Sequence, residues 1–149
     1  MKYIYSIIAA LAICLITLPS KTQAQCKQFS ETEVMPLLGE YIISGRYNTL
    51  RLREGEEILI FKTLSKGINY RIVVKCEDSL ATNLHYVIKD WEDATLYDNA
   101  EHSNSYKWDY SSDKTQRIKI NVYVPKSSAD GEPLKEGCVT VLTGIKPDM

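Results

Sequence analysis

The sequence predicts an all-β protein, an antiparallel two-sheet sandwich of jelly-roll character with about seven or eight strands and a short N-terminal helical segment. Three observations carry that expectation. The stretch Ile68 to Cys76 alternates Ile68, Tyr70, Ile72, Val74 and Cys76 with Asn69, Arg71, Val73 and Lys75, a period of two that buries one face and wets the other. Arg117 to Val124 repeats the pattern, with Ile118, Ile120, Val122 and Val124 facing one way. Apolar runs recur at roughly ten to fifteen residues with turn signals between them, which suits a sandwich first and a small closed barrel second.

The chain opens with Lys2, a mostly apolar run from Ile4 to Leu18, then Pro19, Ser20 and the polar Lys21 to Gln25. That is the layout of a secretory signal peptide. The run is about fifteen residues, short of the roughly 20 that a membrane-spanning helix needs. Thr22 and Ala24 place small residues three and one before a cut after Ala24. An uncleaved anchor and lipidation of Cys26 are the alternatives, the second disfavoured by Gln25 where lipid-attachment signals carry a small residue. The expected divisions are a signal peptide over 1–24, a partly helical segment over 25–46 and a β-sandwich domain over 47–149.

Cleavage leaves 125 of the 149 residues, enough for one domain with its own core. Loss of Lys2 and Lys21 takes the 18 basic residues to 16 against 19 acidic ones, a net charge of −3. Nucleic acid and anionic membranes call for a basic face that this chain does not have, and no integral span remains after cleavage. The expected location is the periplasm or the exterior.

Cys14 leaves with the apolar run, so Cys26, Cys76 and Cys138 remain, and an odd count allows one bridge and one thiol left over. Cys76 ends one strand and Cys138 begins another, so antiparallel neighbours would bring their ends together. Cys76 with Cys138 is the expected disulfide among three pairings that spacing does not decide; the alternative is that both are small buried hydrophobes. There is no CxxC pair, and His85 and His102 do not fall at a ligand spacing, so neither a metal site nor a cofactor is expected.

From Lys27 to Tyr47 the signals are mixed. Ser30 and Glu33 have capping-box spacing, and Val34, Leu37, Leu38, Tyr41 and Ile42 recur at helical intervals. Pro36 stands against a continuous helix, so the expectation is a short or broken helix, or one starting near Pro36, that covers the core. Then the pattern turns to strands. Tyr47 to Arg53 carries Leu50 and Leu52 on one parity. In Glu57 to Leu64, Ile58, Leu59, Ile60 and Phe61 are apolar on both parities, which predicts a strand covered on both sides or central. Ser65, Lys66 and Gly67 form a short connection that predicts antiparallel pairing with Ile68 to Cys76. Leu84 to Lys89, Ala94 to Tyr97, Ser105 to Tyr110 and Cys138 to Ile145 complete the set, with Lys126 to Gly137 as a surface crossing between sheets.

Two groups of residues invite a functional reading. Asp90, Glu92, Asp93 and Asp98 offer hard oxygen ligands of the kind calcium takes. They do not follow the Asp/Asn-rich loop of a helix-flanked calcium site, and the plainer reading is a set of turn acids in an acidic surface loop. Tyr106, Trp108 and Tyr110 form an aromatic stripe on one parity, with Trp91 nearby in the chain. Such faces stack on sugar rings when exposed and form core when buried; Trp108 is expected inside and the tyrosines at its margin. Trp91, Tyr106, Trp108 and Tyr110 are the candidate binding residues.

No Gly-x-Ser-x-Gly elbow, His-Glu-x-x-His or phosphate-cradling glycine loop is present. A hydrolase would need a carboxylate to meet His85 or His102 in a pocket. The residues Gly67 with Tyr70 to Val74, Leu96 to Asn99, Trp108 with Asp109, Ile118 to Pro125, and Gly137 to Val139 with Gly144 and Lys146 resemble a group of secreted β-sandwich proteins of Bacteroidetes-type bacteria. That likeness brings no function with it. The order of parts is also similar to the bacterial pre-peptidase C-terminal domain, a jelly-roll-like module with a Gly-x-x-Tyr start and a Leu-Tyr-Asp turn, which implies an accessory role beside an enzyme. The expectation is an exported, non-catalytic module of the cell envelope that binds a protein or glycan. The competing expectation is an assembly accessory that pairs through an exposed strand edge.

Overall fold

The computed structural model describes residues 21–81 and 83–147. Residues 1–20, which carry most of the expected signal peptide, lie outside the described residues, and the expected cut after Ala24 falls within the first helix. That helix, α1 (Lys21–Phe29), runs into a π turn over Ser30–Val34 and a 3-10 turn over Met35–Leu38. Nine strands follow: β1 (Ile42–Ile43), β2 (Asn48–Arg53), β3 (Glu57–Leu64), β4 (Asn69–Cys76), β5 (His85–Asp90), β6 (Thr95–Asp98), β7 (Lys107–Ser111), β8 (Gln116–Tyr123) and β9 (Glu136–Ile145).

One sheet has the order β2-β9-β4-β7, with β1 beside β2 along the same edge of β9; the other has the order β3-β8-β5-β6. All pairs are antiparallel. From β2 onward each strand lies in the opposite sheet from the one before it, except that β6 pairs with β5. This interleaving is the jelly roll. The period-two pattern places Tyr70, Ile72 and Val74 of β4 with Val139 and Val141 of β9 against Tyr86 and Ile88 of β5 and Ile118, Ile120 and Val122 of β8, all of them buried.

Two local expectations are corrected by this topology, and of the alternatives for the N-terminal segment the short, broken helix is the one found. β3 and β4 are joined by a short turn but are not partners: β3 pairs with β8, and β4 with β7 and β9. A short Gly-containing link suits a crossing between facing sheets as well as a hairpin, and only the long-range ladders choose. β3 is not central or doubly covered. It is an edge strand, and its outward Leu59 and Phe61 stay exposed. The helix does not begin at Pro36; Pro36 sits in the first turn of the 3-10 segment, where its missing N–H costs little. Met35 N–H reaches back five residues to Ser30 O, and this π step carries the helix into the proline.

The expected Cys76–Cys138 disulfide is also corrected. Cys138 is bonded to Cys26, with Cα atoms 5.1 Å apart, and Cys76 is a free, buried thiol. β4 and β9 are indeed antiparallel neighbours, but Cys76 lies opposite Val139. That one-residue offset sends the two side chains to opposite faces of the sheet. Cys76 points into the sandwich and Cys138 points out, toward α1. Burial pushes the Cys76 thiol up, away from the reactive thiolate.

Candidate functional site

The outer face of the β2-β9-β4-β7 sheet is closed. Cys138 and Leu142 of β9 and Val73 of β4 are fully buried beneath Cys26, Phe29, Val34 and Leu38 of the N-terminal segment. Ser30 does not cap the helix as its spacing with Glu33 suggests. Its hydroxyl donates to Cys26 O (2.8 Å) and meets Thr140 Oγ1 at 2.7 Å, which ties the helix to β9. Gly144 lets the segment lie close, since a Cβ there would stand 2.8 Å from Leu38 and 2.9 Å from Tyr41. Arg71 completes the seal: its guanidinium lies 4.3 Å from the centre of the Tyr41 ring, donates to Leu38 O, and makes two bonds to Asp109.

The outer face of the β3-β8-β5-β6 sheet has no such cover among the described residues. Odd-numbered residues of β3 and β8 point outward: Leu59 faces Asn121, Phe61 faces Lys119 and Thr63 faces Arg117. At the β5–β6 turn Trp91 leans across β8 until its ring centre is 6.3 Å from that of Phe61. The Arg117 guanidinium lies 4.8 Å from the Phe61 ring centre and 4.9 Å from that of Trp91, a cation held by two aromatic faces. Lys119 lies 5.3 Å from the Trp91 ring and bonds Asp93 at 2.7 Å. Trp91 is 57% exposed, Leu59 53% and Phe61 43%, so this is a platform of large apolar and cationic side chains in water. Beside it a shallow depression of about 290 Å³ is lined by Asp90, Trp91, Glu92, Lys114, Gln116 and Arg117.

The sequence candidates scatter. Trp91 stands on the platform. Trp108 and Tyr110 are stacked on each other, ring centres 4.6 Å apart, and pack half-buried against the core with Tyr97. Tyr106 is exposed just before β7, a strand of the other sheet from the one that carries Trp91. Asp90 Oδ1 accepts the N–H groups of Glu92 and Ala94, which shapes the turn that presents Trp91. Asp93 binds Lys119, and Asp98 Oδ1 accepts Ala100 N–H and meets His85 Nε2 at 3.0 Å. Asp90, Asp93 and Asp98 are thus engaged locally, and among the described residues no three of His, Cys, Asp and Glu come together as a metal-binding group.

His102 Nδ1 lies 2.9 Å from Asp98 O, so both histidines converge on Asp98, on the surface and away from any hydroxyl or thiol bonded to them. Phe61 and Leu59 were missed as site residues because a strand apolar on both parities reads as buried, and Arg117 because a basic residue on the polar parity of a strand reads as solvated surface. The one available signal was the basic residue Arg117 on the outward parity of the neighbouring strand.

No family model matches the chain, and no curated protein matches it. Among solved structures the chain is similar to the crystal structure of Aeromonas hydrophila PliG, a periplasmic lysozyme inhibitor of g-type lysozyme, at 11% sequence identity and a TM-score of 0.49. The match covers 67% of this chain and 84% of that chain. At this level the likeness carries no inference about function.

Proposed function

We propose that the protein is an exported, non-catalytic binding module whose outer β3-β8-β5-β6 face takes a protein partner at the platform of Phe61, Trp91 and Arg117. The carrying observation is the exposed Trp91–Phe61 pair with Arg117 held between the rings. Trp, Tyr and Arg dominate the energetic centres of protein interfaces, the aromatics because they desolvate a large area with few torsions to freeze and Arg because its planar guanidinium stacks on rings and donates several hydrogen bonds. The platform includes exposed Leu59 beside Phe61 and Trp91, and so wide an apolar area suits a protein surface better than a small molecule. Export is supported by the signal-peptide layout and by the Cys26–Cys138 bridge, which suits an oxidising compartment.

A glycan is the second reading, favoured by the depression where Trp91 stands beside Asp90, Glu92 and Gln116, an apolar face next to hydroxyl-binding groups. The test is a cross-linked pull-down from envelope extract with the mature chain and with Phe61→Ala/Trp91→Ala. A specific protein should be retained by the first and lost by the second, with Trp91→Ala alone weakening binding by about 2 kcal/mol. An identical set of captured proteins with both chains would sink this reading. Retention that free oligosaccharide competes away would establish the second.

A further inference from the structure

Beyond the ligand of the open face, we propose that the free edge of β3 docks a second copy of this chain, antiparallel, joining two four-stranded sheets into one of eight strands. β3 has β8 on one side and, among the described residues, no strand on the other. Val124 N–H donates to Glu56 O at 2.9 Å, so the even-numbered residues of β3 turn their backbone groups to β8. By the alternation of an antiparallel ladder, Glu57, Leu59, Phe61 and Thr63 turn theirs to the empty edge. Those same residues carry the outward side chains.

The strand is complementary to itself when reversed. Set Leu59 opposite Phe61 of the second copy, and Phe61 then falls opposite the second copy's Leu59. Two pairs of large apolar side chains, exposed in the single chain, come together on one face. The same register puts Glu57 opposite Thr63 of the second copy, and the β8 neighbour of Thr63 is Arg117. Arg117 lies between Phe61 and Trp91 on the outward face, and no carboxylate among the described residues forms an ion pair with it. Two-fold symmetry makes each charge pair occur twice.

The edge carries one guard. Lys62 points inward, a device that discourages strand addition, but its ammonium is turned across the mouth of the sandwich to Arg46 O at 2.7 Å. In the proposed register Lys62 lies opposite Ile58 of the second copy, an apolar side chain that the lysine stem can cover. A single added strand buries little area, so the association is weak and shows itself only at high concentration.

Sedimentation equilibrium of the mature chain, from low-micromolar to millimolar concentration, tests the proposal. The chain should show a reversible monomer–dimer equilibrium. Glu57→Lys and Arg117→Glu should each weaken it by about tenfold or more, since attraction becomes like-charge repulsion at two places. An equimolar mixture of the two variants should restore association, because the lysine of one then faces the glutamate of the other. A chain that stays monomeric throughout overturns the proposal. So does a dimer indifferent to both substitutions, or a mixture no tighter than its components. The outcome is independent of which ligand the face takes.

Discussion

β9 and β3 are both apolar on both parities, and the fold treats them oppositely. The outward side chains of β9 are closed over by α1 and the turns that follow it, bolted by a disulfide; those of β3 are left in water. A strand's own pattern states only that two faces can be buried. Whether the second face is buried depends on another segment arriving over it, and the chain directs its one N-terminal segment to the first sheet. An apolar face left without such a cover is a surface for something else.

The comparison breaks most visibly if the bolt is removed. Cys26→Ala/Cys138→Ala should lower unfolding free energy by about 4 kcal/mol in denaturant titration, because the bridge spans 112 residues of sequence and long closed loops constrain the unfolded chain most. Amide exchange in α1 should quicken while β8 and β5 stay protected. If the double variant unfolds at the wild-type midpoint, the cover is held by packing alone.

Truncating one outward residue on each sheet sharpens the contrast. Leu142→Ala, under the helix, should cost about 3 kcal/mol through lost burial and a cavity. Leu59→Ala, on the open face, should change stability by less than about 0.5 kcal/mol in the same measurement. Equal costs would mean that β3 is covered in solution.

A pH-dependent effect concerns the joint between the sheets. Glu54, in the turn from β2 to β3, binds the hydroxyls of Ser127 and Ser128 and the N–H groups of Ser127 and Lys135 in the crossing from β8 to β9. These bonds, the Ser127 and Ser128 hydroxyls first, hold its carboxyl down from 4.5 to about 2. A carboxyl depressed on folding contributes stability that is complete above 4.5 and is lost as pH falls through about 2. The stability gap between wild type and Glu54→Gln should therefore be constant above pH 4.5, shrink below it and largely close near pH 2. A gap independent of pH would show that the carboxylate's charge is not what holds the crossing.

Eight of the nine strands among the described residues were legible, from period-two alternation where one face is buried and from apolar runs between turn signals elsewhere. The sandwich could be read from their spacing. The disulfide could not, because Cys76 and Cys138 were placed on the right pair of strands but the register between them, off by one residue, is a long-range quantity. For the site, Trp91 was legible as an aromatic in an acidic turn. Phe61 and Leu59 were not, since their apolarity was explained by a burial that never occurs. Ser30 and Glu33 show the same limit: the spacing is that of a cap, yet Ser30 lies mid-helix because Thr140 waits for its hydroxyl.

What the residues alone determined is which segments are strands and, where apolar and polar residues alternate, which side of each turns inward, because these depend on neighbours within a few positions. The tertiary structure decided which strands pair, which sulfur meets Cys138, and which of two apolar outer faces stays open. Those choices are made by contacts tens of residues apart, where the same local pattern serves several arrangements and only the simultaneous closing of both sheets selects one.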